Sequence, residues 1–251
     1  MVDTTPRKML RVLDLIEGSE APVSAEVMLK ELELTRSTLY RHLKILAETG
    51  LITSLPDAGF TLGPRIVELD YKMRQRDPLL AAARPLMMEL VRSERGVALL
   101  CRRYRDRVLC IHQERGEVSF SSNYTRGLAR PLYRGAASRI ILAHMSKAVV
   151  DRLQGEFPAE FVECGLGATA DEARAVLRRI RRAGWDVTEA QVTPGVMGIA
   201  APLLDRGGEV LGSLSLTIAA GERTESDLKR LAERVQSCAE VVRATLDQGP
   251  M

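Results

Sequence analysis

The sequence has 251 residues, of which 45% are hydrophobic and 27% are charged, a composition typical of folded rather than disordered chains. This length predicts one or two domains. The net charge of +3 permits nucleic-acid binding without requiring it, and residues 1–75 carry ten Lys and Arg against eleven Asp and Glu, a net charge of −1. The N-terminal segment is therefore not basic overall, and an argument for DNA binding depends on where individual cations lie.

The four cysteines are far apart in the sequence and form no C-x-x-C pair. So few cysteines in a chain of this length predict reduced thiols rather than a disulfide framework. The first residues lack the apolar core of a signal peptide, and nowhere do eighteen apolar residues follow one another. We therefore expect a cytoplasmic protein that does not enter a membrane.

The first fifty residues predict three helices. Apolar residues recur at helical spacing over residues 6–17, and a second short helix follows Ser24, a plausible N-cap. The third helix lies in LTRSTLYRHLKILAETGLI (34–52), with Thr35 or Ser37 as its N-cap and Gly50 as its C-terminal stop.

The third helix has two chemically different faces. The inward face is predicted to consist of Leu39, Leu43, Ile45 and Leu46. The outward face is predicted to consist of Arg36, Ser37, Thr38, Tyr40, Arg41 and Lys44. Long cations and short hydroxyls in the first turns of a helix are the side chains that contact bases and phosphates in the major groove of DNA. An ordinary basic surface on a core helix is about equally compatible with this pattern alone.

The segment LITSLPDAGFTLG (51–63) predicts a β-hairpin, because two short strand-like runs flank the turn residues PDAG. Three helices followed by a hairpin are the parts of a winged helix-turn-helix. This second element at the right spacing favours DNA binding over a solvated surface, and we assign residues 1–63 to this domain.

Residues 64–77 predict a linker helix that begins at Pro64, with apolar residues at Ile66, Leu69 and Met73. Another helix starts at Pro78, and we expect Pro85 to bend or divide it. Beyond it, the predicted strands are 97–104, 107–113, parts of 117–133, and two strands within GVMGIAAPLLDRGGEVLGSLSLTI. The predicted helices are 135–145, 170–184 and 224–246. A sheet covered by helices is therefore expected.

One strand, GSLSLTI, has a regular alternation that places Ser213, Ser215 and Thr217 on one face and the aliphatic side chains on the other. By itself this pattern fits a solvated polar face. The alternative is a row of hydroxyls that lines a ligand pocket.

Taken in order, several segments resemble the IclR family of bacterial transcription regulators over nearly the whole chain. They are LTRSTLYRHLKILAETGLI, FTLGPRIVEL, RPLYRGAASRIILA, RRAGWDV and GVMGIAAPLLDRGGEVLGSLSL, followed by the closing helix. The resemblance implies an α+β fold with an N-terminal winged helix-turn-helix, a linker helix and a C-terminal GAF-like α/β effector-binding domain. It also implies a homodimer or homotetramer.

The resemblance further implies an effector site in the segment 78–251. Position by position, it falls on Ala136, Ala137, Thr188, Gly198, Ser215 and Thr217. The chain departs from the family where Thr188 replaces a common aspartate and Gly198 replaces a common cysteine. These changes predict a less polar and roomier floor, and hence an organic acid larger than a two-carbon oxo-acid, such as an aromatic or amide-bearing carboxylate. Backbone N–H groups near Gly135–Ser138 are expected to be free to seat its carboxylate.

Other functions have weaker support. Cys101, Cys110 and His112 would suit a metal- or redox-responsive regulator, but no fourth ligand is evident, and buried sheet residues are favoured. The three histidines and the absence of a G-x-S-x-G motif disfavour a small-molecule enzyme. The run RRIRRAG suits a solvated helix better than a second nucleic-acid site. We therefore predict an effector-responsive repressor of a catabolic operon that binds a pseudo-palindromic operator in double-stranded DNA and needs no metal or cofactor.

Overall fold

A computed structural model of the chain describes residues 4–118, 120–221 and 223–248. It divides into two compact units, Met1–Asp77 and Pro78–Met251. The helices are α1 (Thr5–Glu17), α2 (Ala25–Leu32), α3 (Arg36–Glu48), α4 (Arg65–Arg76), α5 (Pro78–Glu94), α6 (Ala136–Leu142), α7 (Lys147–Glu156), α8 (Pro158–Glu163), α9 (Ala170–Ala183) and α10 (Glu225–Gln248). The strands are β1 (Ile52–Leu55), β2 (Gly59–Leu62), β3 (Val97–Tyr104), β4 (Arg107–Arg115), β5 (Ala129–Pro131), β6 (Asp186–Glu189), β7 (Val196–Leu204) and β8 (Val210–Ala219).

The first unit is a three-helix core with a hairpin, as predicted. The N-caps of α2 and α3 are Ser24 and Thr35, whose side chains accept hydrogen bonds from the backbone N–H groups of Val27 and Thr38. Gly50 follows α3 with a φ of 72°, the left-handed conformation expected of a stop residue. Strands β1 and β2 pair in an antiparallel hairpin. The predicted winged helix-turn-helix is therefore present.

One prediction about α3 was wrong. Ile45 was assigned to the inward face, but 41% of its surface is exposed, whereas His42 is 1% exposed. With about 100° between successive helical residues, His42 lies closer than Ile45 to the middle of the face defined by Leu39, Leu43 and Leu46. A histidine therefore takes the core position that the apolar pattern had assigned to isoleucine.

The second unit has three layers. Its six strands are all antiparallel in the order β5-β4-β3-β8-β7-β6. Alternate residues of the sheet pack on α5 and α10 on one face, where the core includes Ala98, Leu100 and Leu214. On the other face, Val97 and Leu99 pack with the segment that holds α6 to α9. This arrangement confirms the predicted α+β fold and supports a buried site on the α6 face of the sheet.

Several elements differ from the prediction. Helices α7 and α8 were not predicted, and of the described part of 117–133 only Ala129–Pro131 is a strand. Helix α6 ends at Leu142 instead of Met145, and α5 continues through Pro85 without being divided. Among the described residues, no helix is both long and apolar enough to span a membrane.

Candidate functional sites

The outward face of α3 presents the predicted polar residues to solvent. Arg36, Ser37, Tyr40, Arg41 and Lys44 are exposed, and Thr38 is half-buried, with its hydroxyl accepting a hydrogen bond from the Thr35 hydroxyl. On the opposite side, the core of the unit buries Leu39, Leu43 and Leu46. The helix is therefore fixed to its unit by one face while a cationic, hydrogen-bonding face stays open.

The charges beside this face are not all favourable for a polyanion. Lys44 lies 3.8 Å from Glu48, but both side chains are more than half exposed, so this pair is weak. Glu33 is exposed in the turn before α3 with a φ of 53°, a left-handed conformation that favours glycine or asparagine. It forms no ion pair with Arg36 among the described residues. The negative charge of Glu33 therefore remains beside the start of α3.

His42 lies beneath the exposed face. Neither ring nitrogen has a hydrogen-bond partner in the described structure, and the side chain is almost fully buried. Burial lowers the pKa of His42, and the nearby charges of Arg41 and Lys8 lower it further. The neutral imidazole is thus the form that the core of this unit accommodates.

The second candidate site is a small cavity of about 40 Å³ in the C-terminal unit. That volume is well below the roughly 150 Å³ of a cavity that binds benzene. All six residues predicted for effector binding line it, namely Ala136, Ala137, Thr188, Gly198, Ser215 and Thr217. The other lining residues come from β3, the segment before β5, the residues just before α6, the β6–β7 connection and the first residue of β7. Residues separated by about a hundred positions in sequence therefore meet at one place.

The hydroxyls of β8 have separate roles on the same face of the sheet. Ser213 donates a hydrogen bond to the Ala137 carbonyl at 2.8 Å and so ties β8 to α6. Ser215 is 2% exposed, and its hydroxyl has no partner in the described structure. Because a buried polar group without a partner is costly, the Ser215 hydroxyl is suited to bind a polar atom of a ligand.

The backbone donors at the start of α6 are less free than predicted. The Gly135 N–H donates to Gln191 Oε1 and the Ala136 N–H donates to Thr188 Oγ1, both at 3.0 Å. The expectation of several free groups was wrong because side chains from the β6–β7 region reach these groups first. Among the described residues, the Ala137 N–H has no hydrogen-bond acceptor.

Gly198 forms part of the floor of the cavity. A Cβ atom at this position would lie 3.8 Å from Ala136 Cβ and 3.9 Å from Thr188 Oγ1, which are ordinary contact distances. The absent side chain therefore leaves space on the floor without strain in the backbone. The cavity as a whole is nevertheless small, and Gln191–Thr193 of the β6–β7 connection form part of its wall.

Two polar residues near the cavity were not predicted from the sequence. Gln191 bridges two elements, since its amide nitrogen also donates to the Cys164 carbonyl at 3.0 Å. Arg134 lines the cavity, but its guanidinium pairs with Glu163 at 2.6 Å. No periodic pattern marks either residue, because each acts through contacts with segments distant in sequence.

A buried ion pair supports α6 from behind. Arg139 Nε lies 2.9 Å from Asp186 Oδ2, and Arg139 also donates to the Cys164 carbonyl. Burial raises the pKa of Asp186 to about 6, although the Arg139 charge opposes this. The pair fixes α6 to β6 and does not line the cavity.

The three residues that would suit a metal- or redox-responsive regulator are buried in the sheet. Cys101 lies opposite Cys110 in the β3–β4 register, and both are fully buried. Burial raises the pKa of the Cys101 thiol, which disfavours the reactive thiolate. His112 bonds Glu114 at 2.9 Å instead of facing an open site. In the described ranges, no three His, Cys, Asp or Glu side chains are placed to hold a metal ion.

An exposed recognition helix in one unit and a covered ligand cavity in the other define an effector-responsive, DNA-binding transcription regulator. Comparison with known sequences agrees. The profile described as Bacterial transcriptional regulator IclR C-terminal matches residues 72–244, and a helix-turn-helix profile matches residues 3–54. The chain belongs to the IclR family of bacterial transcription regulators.

Individual relatives are distant but cover most of the chain. The regulator BhcR of Paracoccus denitrificans is 26% identical over 236 residues, which are 92% of this chain and 83% of BhcR. The solved IclR regulator of Alicyclobacillus acidocaldarius superposes with a TM-score of 0.79 at 20% identity, covering 98% of this chain and 99% of that one. An IclR homologue of Microbacterium hydrocarbonoxydans, solved with 4-hydroxybenzoate, has a TM-score of 0.75 at 18% identity and covers 98% and 100%. These structures support the fold.

Proposed function

We propose that this protein is a homo-oligomeric repressor of a catabolic operon, acting in the cytoplasm on a pseudo-palindromic operator. The observation that carries the DNA-binding part is the exposed face of α3 opposite its buried leucines. In this proposal Arg36, Ser37, Thr38, Tyr40, Arg41 and Lys44 contact bases and phosphates in the major groove. Arg41 lies centrally on that face and reads a base edge.

We divide the chain into a DNA-binding domain (1–63), a linker helix (64–77) and an effector-binding and oligomerisation domain (78–251). The linker helix supports oligomerisation because no residue of α4 is buried within its own unit. It exposes Val67, Leu69, Tyr71 and Met73, with exposed fractions of 72%, 44%, 63% and 58%. A second copy of the chain that covers these side chains would form a homodimer or a homotetramer with paired recognition helices, which suits a twofold operator.

We propose a small organic acid, with an aromatic carboxylate as the favoured class, as the effector. Ala136, Ala137, Thr188, Gly198, Ser215 and Thr217 form its site. The Ser215 hydroxyl and the Ala137 N–H, which lack partners among the described residues, supply hydrogen-bond donors, and the absent side chain at Gly198 enlarges the floor of the site. The related Microbacterium protein, which was crystallised with 4-hydroxybenzoate, supports this class.

The DNA-binding proposal is tested by selecting bound fragments from a random-sequence DNA pool with the full-length protein. Footprinting of the selected DNA should show two protected half-sites related by a twofold axis and separated by whole helical turns. Selection of no preferred sequence, or protection of a single half-site by a monomer, would contradict the proposal.

The effector proposal is tested by calorimetric titration with acids of increasing size. Benzoate and 4-hydroxybenzoate should bind more tightly than glyoxylate. Tight binding of glyoxylate-sized acids alone would overturn the size argument while leaving the DNA-binding proposal intact.

A further inference from the structure

The effector cavity is too small for the ligand class proposed for it. Its volume of about 40 Å³ is well below the roughly 150 Å³ of a cavity that binds benzene, so an aromatic acid requires part of the wall to move. The walls are not equally fixed. Leu99, Ser215 and Thr217 lie on paired strands in the middle of the sheet, whereas Gln191–Thr193 lie on the connection between β6 and β7.

That connection is held mainly by side chains. Ala190 and Gly195 form the closing backbone bonds at its ends, to Val196 and Ala220. Between these two residues, every described hydrogen bond involves a side chain. They are Gly135 N–H to Gln191 Oε1, Gln191 Nε2 to Cys164 O, Arg134 Nη1 to Gln191 O, and Asn123 N–H to Thr193 Oγ1. Gln191 takes part in three of these four bonds.

We propose that residues 190–195 form a gate over the effector cavity and that Gln191 holds the gate closed by competing with the effector for the Gly135 N–H. In the closed state the Gln191 amide oxygen occupies the place of an acceptor atom of the effector. A carboxylate that enters the cavity replaces this oxygen, and the Gln191 side chain then also leaves the Cys164 carbonyl.

The energetics favour this exchange for an acid over a neutral molecule. A hydrogen bond to a charged carboxylate is roughly twice as strong as one to a neutral amide oxygen, so a carboxylate can displace Gln191 from Gly135. A second observation places the ligand here independently of the helix start. Ser215, which lines the same cavity, is 2% exposed and its hydroxyl has no partner in the described structure.

This inference rests on the proposed effector function and makes Gln191 a determinant of ligand selectivity. It differs from an ordinary contact residue in the sign of its mutational effect. Removal of a residue that binds the effector weakens binding, whereas removal of a competitor strengthens it. A substitution of Gln191 therefore distinguishes a competitor of the effector from a residue that binds it.

The test uses the full-length chain and Gln191→Met, which keeps the length of the side chain and removes its hydrogen bonds. Calorimetry with benzoate and 4-hydroxybenzoate should give dissociation constants about three- to tenfold lower than those of the wild type, as expected for loss of one competing hydrogen bond. Gln191→Glu, which places a negative charge beside the incoming acid, should raise them. Gln154→Met is the matched control, because Gln154 donates a similar bond to the Ala168 carbonyl away from the cavity.

Hydrogen exchange supplies a readout that needs no ligand. In effector-free protein, Gln191→Met should speed exchange of the amides in 190–195 and of Gly135 while leaving β3 and β8 unchanged. Equal or weaker acid binding by Gln191→Met, or unchanged exchange in 190–195, overturns the gate. Failure of both acids to bind the wild type also overturns it, and operator binding by the same effector-free protein then shows whether the DNA-binding proposal still holds.

Discussion

The two candidate sites are built in opposite ways. The six residues of the DNA-binding face lie within nine successive positions, 36–44, of one helix and are largely open to solvent, whereas the effector cavity gathers five separate segments of the second unit. The first site depends on local helical geometry, so its residues can change without altering the core that supports them. The second depends on sheet register and on side chains that cross between elements. Substitutions on the DNA-binding face should therefore affect DNA binding alone. Among substitutions around the effector cavity, some should change ligand binding and others should change folding stability.

The largest effect is expected at Arg41. Arg41→Ala should weaken operator binding by about 1–3 kcal/mol if the guanidinium reads a base edge. The melting temperature should stay unchanged because Arg41 is exposed. Fluorescence anisotropy on a selected operator fragment measures the change, with the exposed Lys30→Ala of α2 as control. Equal losses in the two variants would show a general charge effect rather than base reading.

At the cavity, Ser215→Ala should weaken effector binding by about 0.5–1.5 kcal/mol, the value of one hydrogen bond. It should leave the free energy of unfolding unchanged or slightly higher, because it removes a buried hydroxyl that lacks a partner. The matched variant Ser213→Ala removes the bond to the Ala137 carbonyl and should lower stability by about 1 kcal/mol. Calorimetry and denaturant unfolding distinguish these outcomes. Destabilisation by Ser215→Ala would contradict the assignment.

Glu33 tests whether the turn before α3 limits DNA binding. Glu33→Gly should raise stability by about 1 kcal/mol or less, because it relieves the left-handed backbone at the cost of chain entropy. It should also tighten operator binding by removing a negative charge near phosphate. Glu33→Asn keeps a side chain that tolerates this conformation and isolates the charge effect. Unchanged operator affinity in both variants would place Glu33 away from the DNA.

The smallest effect concerns pH and the first unit. The lowered pKa of His42 in the folded state means that folding favours its neutral form. The contribution of His42 to the free energy of unfolding is therefore fully present above its unfolded-state pKa of about 6.5. It is lost as the pH falls through the lower pKa of the folded state. The protection factors of the Leu39 and Leu43 amides, which compare the observed exchange with the intrinsic rate at the same pH, should fall on acidification in the wild type and fall less in His42→Leu. The same fall in both proteins would exclude His42 as the cause.

The sequence predicted those features that local rules determine. The caps and stop of α3, the hairpin turn at Pro56–Gly59 and the alternation of Ser213 to Ile218 follow from residue preferences and periodicity, and the structure confirms them. Prediction was wrong at Ile45, where tertiary packing selected His42 for the core. It missed Gln191 because its bond to Gly135 joins residues 56 positions apart, and no sequence period encodes such a contact. The same dependence on distant contacts explains why the size of the cavity was not foreseen.

The most direct test of the account is whether an acid bound in the second unit changes DNA binding through Ser215. The measurement is the operator dissociation constant of the wild type and Ser215→Ala, by anisotropy, with and without 4-hydroxybenzoate. We predict equal affinities without the acid and, in its presence, a several-fold shift in the wild type that is reduced in the variant, in line with coupling of about 1–3 kcal/mol. An equal shift in both proteins, or loss of acid-free DNA binding in Ser215→Ala, would contradict the account.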